Sequence, residues 1–160
     1  MPRVSEAAVL FGMPVDEFSG YLLDTSAVLA LTERRNDQII HLIRDADQAP
    51  IGSMAVLGEL AHGVAASPTK AIRVQREATV GFYKRLVRMP DHYPWMSIAT
   101  RYGDASAAAT ASGLRLGMND RWIVAECVTF GAILVTCDET QARLEGAYEN
   151  AAMFIDQETA

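Results

Sequence analysis

Two short apolar runs, each closed by an aspartate and followed at once by a helix, constrain this chain more than any other feature. Tyr21-Leu22-Leu23 ends on Asp24, with Thr25-Ser26-Ala27-Val28-Leu29-Ala30 directly behind it. Ala132-Ile133-Leu134-Val135 runs into Thr136-Cys137-Asp138, and Glu139 opens another helix. Apolar runs this short read as buried strands. Strands separated by helices predict a parallel sheet with helices on both faces. Such sheets place their chemistry at the carboxyl ends of the strands, and two strand-end acids of one parallel sheet share an edge.

The remaining elements follow from period and punctuation. Helices are expected over Ser26 to about Arg34, capped by Asp24 or Thr25, and over Asn36 to about Gln48. Pro50-Ile51-Gly52-Ser53 reads as a turn and short strand. A helix from Met54 to about Val64 carries a core stripe of Leu57, Leu60, Ala61 and Val64, and Pro68 opens a long basic helix. Pro90 and Pro94 bracket a loop. An Ala-rich helix then spans Ser97 to about Leu114, and a further helix starts at Asn119-Asp120 and stops at Gly131. Ala152–Ile155 is the last strand. Residues 1–20 hold Pro2, Gly12, Pro14 and Gly20 with no sustained period and read as an N-terminal extension. The domain is expected over 21–156, with a tail at 157–160.

Composition narrows the class. A chain of 160 residues, half hydrophobic and 21% charged, suits one soluble domain. It has no apolar stretch of bilayer length, and Glu6, Asp16 and Glu17 interrupt any signal-peptide pattern, so a cytoplasmic location with no membrane partner is expected. Cys127 and Cys137 lie in apolar contexts and read as buried free thiols. With His41, His62 and His92 they make no zinc signature, so any metal is a hard one held by oxygen. The net charge of −6 argues against general affinity for nucleic acid. Lys70–Arg88 departs from it, with Lys70, Arg73, Arg76, Lys84, Arg85 and Arg88 against Glu77 alone. That run is either a solvated helix face or a phosphate-contacting edge.

Two more acids stand out. By helical angle Glu59 falls beside the core stripe, next to Val56 and Gly63 rather than with Ala55 and His62, and Gly63 leaves room for something to approach. Asp120 follows Gly117-Met118-Asn119 and opens an apolar helix. Each acid has a plain explanation: Glu59 as a boundary residue reaching water, Asp24, Asp120 and Asp138 as helix caps. Gathered at one edge, however, four carboxylates raise one another's pKa values unless a cation neutralises them. Mg²⁺ or Mn²⁺ is the natural occupant of such a set.

These blocks resemble a family. Leu23-Asp24-Thr25-Ser26-Ala27-Val28, Gly58-Glu59-Leu60, Gly117-Met118-Asn119-Asp120-Arg121-Trp122-Ile123-Val124-Ala125 and Leu134-Val135-Thr136-Cys137-Asp138 are similar, in order and spacing, to the four acidic blocks of PIN-domain ribonucleases. The VapC-type toxins are the branch they most resemble. The resemblance covers about residues 21–156. It implies a three-layer α/β/α fold with a central, mainly parallel sheet, and a Mg²⁺- or Mn²⁺-dependent endoribonuclease leaving 5′-phosphate and 3′-hydroxyl ends. Asp24, Glu59, Asp120 and Asp138 would be both catalytic and metal-binding. Asp24 would ligate directly, Asp120 and Asp138 directly or through water, and Glu59 through water or to a second ion. Thr136 matches a hydroxyl position of the family, beside the acids. Arg121 and the Lys70–Arg88 edge would contact RNA phosphates. A cognate VapB-type antitoxin and a homodimer are also implied. The chain departs from the family in its extension, in having only Ser53 upstream of Glu59, and over Met89–Trp95. Two other readings stay open: a non-catalytic PIN-fold module binding RNA or protein, and an aspartate-based phosphatase or receiver domain. The latter wants a strand-end lysine, whereas Lys70 and Lys84 both fall in the basic helix.

Overall fold

The structure, a computed structural model, describes residues 20–143 and 152–155. The extension expected at 1–20, save Gly20, and the tail at 157–160 lie outside these residues. The chain runs β1 (Tyr21–Leu23), α1 (Thr25–Glu33), α2 (Asp37–Arg44), α3 (Met54–Ala65), α4 (Lys70–Leu86), α5 (Trp95–Ala111), α6 (Met118–Thr129), β2 (Ile133–Thr136), α7 (Glu139–Ala142) and β3 (Ala152–Phe154).

The sheet is parallel, with β1 beside β2 and β2 beside β3, and Leu23 pairs with Val135. Single parallel bridges, Leu22 to Ile51 and Ile51 to Arg88, extend it on the far side of β1. Numbered along the chain, the five extended segments are ordered 3-2-1-4-5. The order reverses between β1 and β2. Open α/β sheets bind their ligands in the crevice outside the strand ends at that reversal. Asp24 and Asp138 follow the two strands that flank it.

Local chemistry sets the helix ends. Asp24, Asn36, Ser53 and Thr69 cap α1 to α4 by accepting from Ala27, Ile39, Val56 and Ile72 N–H groups at 2.8, 3.1, 3.0 and 3.2 Å. Helices α5 and α6 close on left-handed glycines, Gly113 at φ +67° and Gly131 at φ +62°. The amide behind each glycine reaches back to the last turn: Leu114 N–H to the Ala109 carbonyl, Ala132 N–H to that of Cys127. Helix α6 is buried continuously from Ile123 to Thr129 and packs on α5, where Ala105 and Ala109 allow close approach. Tyr102 of α5 stacks on Trp122 of α6 with ring centroids 4.2 Å apart. Leu22, Leu23, Leu134 and Val135 form the centre of the core, and both cysteines are buried. No helix among the described residues is long and apolar enough to cross a membrane.

Several expectations are corrected in detail. Pro68 lies before α4, whose cap is Thr69, because a hydroxyl can accept the orphan N–H that proline cannot serve. Arg88 is past the helix: its N–H donates to the Pro50 carbonyl at 2.8 Å as part of the sheet bridge. Helix α5 starts at Trp95, not Ser97. In α3, Val56 and Leu60 are buried while Ala61 is exposed. The group that approaches Gly63 is Arg76 of α4, whose Nη1 donates to the Gly63 carbonyl at 2.5 Å and so ties α4 to α3.

Candidate active site

A cavity of about 870 Å³ opens at the strand ends, with walls from three helix faces. Thr25, Ser26 and Leu29 of α1 form one, and Met54, Ala55, Gly58, Glu59 and His62 of α3 another. Asn119, Asp120, Trp122, Ile123 and Glu126 of α6 form the third, and Asp24, Tyr93 and Asp138 complete the lining. Steps of three and four residues along α3 and α6 explain these sets. They also correct the expected orientation of Glu59, which shares its face with Ala55 and His62. Asp24, Glu59, Asp120 and Asp138 therefore all reach one cavity.

Asp24 is only 3% exposed. Its N–H continues the β1–β2 ladder by donating to the Val135 carbonyl at 3.1 Å. Oδ1 accepts from Ser26 Oγ at 2.7 Å and from Ala27 N–H, and Oδ2 accepts from Thr136 Oγ1 at 2.5 Å. Burial pushes its pKa up; the three donors pull it back, and the charge of Asp120 adds to the rise. Thr136 Oγ1 also accepts the Asp138 N–H at 2.9 Å, linking the two strand-end acids through one hydroxyl. The side-chain amide of Gln141 lies 3.1 Å from the same oxygen. The atom at that distance is the amide oxygen, Oε1, so the Thr136 hydroxyl hydrogen has two acceptors within reach, Asp24 Oδ2 and Gln141 Oε1, with Asp24 the nearer.

Glu59, half-buried, accepts from Thr25 Oγ1 and from Asn119 Nδ2, the latter at 3.0 Å. Asp120 accepts the Gly117 N–H at 3.1 Å. A Cβ at Gly117 would stand 2.9 Å from Asp120 Oδ2, so a side chain there would push that carboxylate aside. Burial raises the Asp120 pKa, Gly117 lowers it, and the charges of Glu59 and Asp138 raise it further. Asp138 is exposed and caps α7 through the Thr140 and Gln141 N–H groups at 2.8 and 3.3 Å. The capping explanations are thus structurally correct for Asp24, Asp120 and Asp138, and they coexist with a shared cavity.

Among the described residues, no lysine or arginine lines this cavity. Carboxylate oxygens without a compensating cation suit a hard divalent ion. As they stand, no three His, Cys, Asp or Glu side chains among the described residues close on one point as ligands, and Glu59 and Asp120 are each engaged by neighbours.

Sequence reasoning missed Ser26, Thr25, Asn119, Tyr93 and above all Glu126. Glu126 is a buried carboxylate in an apolar helix, and it accepts from Ser53 Oγ, Tyr93 Oη and the Met54 and Ala55 N–H groups. Burial raises its pKa against the lowering effect of those donors. Its one trace in the sequence is the spacing Asn119, Trp122, Ile123, Glu126, a single helix face that lines the cavity, which does not by itself mark a buried acid.

The comparisons bear on this geometry. Comparison with the curated proteins gives no match. The VapBC2 structure from Rickettsia felis, bound to a promoter DNA fragment, superposes with a TM-score of 0.70 at 19% identity, covering 86% of this chain and 99% of that one. VapBC-1 from nontypeable Haemophilus influenzae gives 0.68 at 20% identity, covering 87% and 98%. VapBC-5 from Mycobacterium tuberculosis, of the VapBC family of toxin-antitoxin systems, gives 0.61 at 25% identity, covering 86% and 98%. The three-layer α/β/α architecture is therefore that of these proteins. The family model of the PIN domain matches residues 21–147, most of the chain, and the chain belongs to the PIN-domain family.

Proposed function

We propose that this protein is a divalent-metal-dependent endoribonuclease and the toxin of a VapBC-type pair. The observation that carries the reading is the convergence of Asp24, Glu59, Asp120 and Asp138 on one cavity, at the reversal point of a PIN-fold sheet, with no lysine or arginine on its described walls. Those four acids would hold Mg²⁺ or Mn²⁺. When bound, the ion would neutralise charge on the scissile phosphate and lower the pKa of an attacking water. Ser26 and Thr136 aim the Asp24 carboxylate into the cavity, and Thr25 and Asn119 do the same for Glu59. The likeness to VapBC complexes supports a VapB-type antitoxin as partner, and a homodimer is part of the same reading. Phosphoaspartate chemistry lacks support, because no described lysine reaches Asp24 through this cavity.

The test is sequencing of RNA ends from cells expressing wild type or Asp24→Asn. Wild-type-specific 5′-phosphate ends are expected, and they would identify the substrate. Their absence would leave a non-catalytic PIN-fold module as the better reading.

A further inference from the structure

Among the described residues, Glu126 is the one buried carboxylate of this region outside the four acids, and its bonds have an unusual reach. The first turn of α3 needs acceptors for its N–H groups. Ser53 N–H donates to Tyr83 Oη at 2.9 Å, and Val56 N–H to Ser53 Oγ at 3.0 Å. The two between them, Met54 and Ala55, donate to Glu126 Oε1 at 3.0 and 3.3 Å. Ser53 Oγ passes its hydrogen to Glu126 Oε2. A carboxylate of α6 thus sits at the positive end of the α3 dipole, where an anion is favoured. It also accepts from Tyr93 Oη, in the loop between Pro90 and Pro94. Two walls of the cavity, α3 at its start and α6, therefore meet on one side chain together with the Tyr93 loop.

Glu59 is in the second turn of α3, and Asp120 in the first turn of α6. A helix transmits the position of its first turn rigidly to its second. Resting on the nuclease reading above, we infer that Glu126 is a positioning residue: by holding the N-terminus of α3 and the Tyr93 loop against α6, it sets the placement of Glu59 relative to Asp120. Partners of this kind, behind the acids that hold an ion, typically change metal affinity or activity by about 10–100-fold when removed.

The test compares wild type, Glu126→Gln and Tyr93→Phe in two assays: melting across a Mn²⁺ titration, with the metal alone as probe, and RNA cleavage. The amide of Glu126→Gln keeps the volume but replaces one acceptor oxygen with an NH2 group that cannot accept, so either the Ser53 hydroxyl or the Met54 and Ala55 N–H groups and the Tyr93 hydroxyl lose their acceptor. Its metal midpoint is expected to rise and its kcat to fall, each by about tenfold, with KM little changed. Tyr93→Phe removes one donor of four and should move both readouts the same way by less. A purely structural Glu126 would lower the metal-free melting temperature while leaving the Mn²⁺ midpoint and kcat as in wild type. That result overturns the inference. Should Glu126→Gln fail to fold, Ser53→Ala combined with Tyr93→Phe carries the same comparison, and an unmoved midpoint there is equally fatal. A wild type that neither cleaves RNA nor responds to Mn²⁺ would instead overturn the nuclease reading.

Discussion

Asp120 is where the charges of the site meet. Its pKa is raised by burial and by the charges of Glu59 and Asp138, and its own charge raises Asp24. Asp120→Asn removes that repulsion while its side-chain oxygen can still accept the Gly117 N–H. The metal-free variant is therefore expected to melt about 2–4 °C above wild type, roughly 1 kcal/mol, and to lose RNA cleavage. Differential scanning calorimetry in chelator decides it; a lower melting temperature would mean that the cap outweighs the repulsion. Thr136 is the other revealing residue, since one hydroxyl serves both Asp24 and the Asp138 N–H. Thr136→Val should cost about 1–3 kcal/mol by stranding that N–H, and should raise the Asp24 pKa by removing a donor. The acid limb of the pH–rate profile would then move to higher pH, and Thr136→Ser should restore it.

Among the elements, α4 separates its cations by use. Arg73 pairs with Glu77 at 3.1 Å, Arg76 holds Gly63, and Arg88 lies beyond the helix, donating to Gln48. Lys70, Lys84 and Arg85 are exposed. If this face meets RNA phosphates, Lys84→Glu with Arg85→Glu should weaken binding at unchanged kcat and lower the salt slope of affinity by about 2, one per lost phosphate contact. An unaltered slope would mark α4 as a solvated face. Elements of this kind were legible because capping and period are local: Asn36, Ser53 and Gly131 announce their helix ends within a few residues. The strand-end acids were legible because topology alone places them together. Arg88 was not, since a single sheet bridge carries no periodic signal. Glu126 was not, because a glutamate among Val124, Ala125, Cys127 and Val128 has no local reason to be buried; its partners lie 33 residues or more away in sequence.

At the scale of the whole molecule, the fold stores charge where it is least tolerated. The 3-2-1-4-5 sheet order opens a crevice at the β1–β2 boundary, and the chain fills its rim with acids in a protein already at −6. The consequence for stability has a definite sign. Asp24, Asp120 and Glu126 all have folded pKa values raised above their ordinary ones of 3.8, 3.8 and 4.5. Between the unfolded and folded values the native state binds more protons than the unfolded chain, so stability falls as pH rises through that window. The metal-free protein is thus expected to be most stable near the bottom of it, and to lose stability from about pH 4 upward until the raised groups have ionised. A divalent ion offsets the repulsion at Asp24 and Asp120 but leaves the Glu126 contribution in place. Melting curves in chelator should therefore slope downward with pH, and the same series in saturating Mn²⁺ should slope less without becoming flat. Parallel curves would show that the ion does not reach these acids. A rising curve in chelator would show that the hydrogen bonds to Asp24 and Glu126 outweigh burial, so that the cavity is built to keep its carboxylates ionised before any ion arrives.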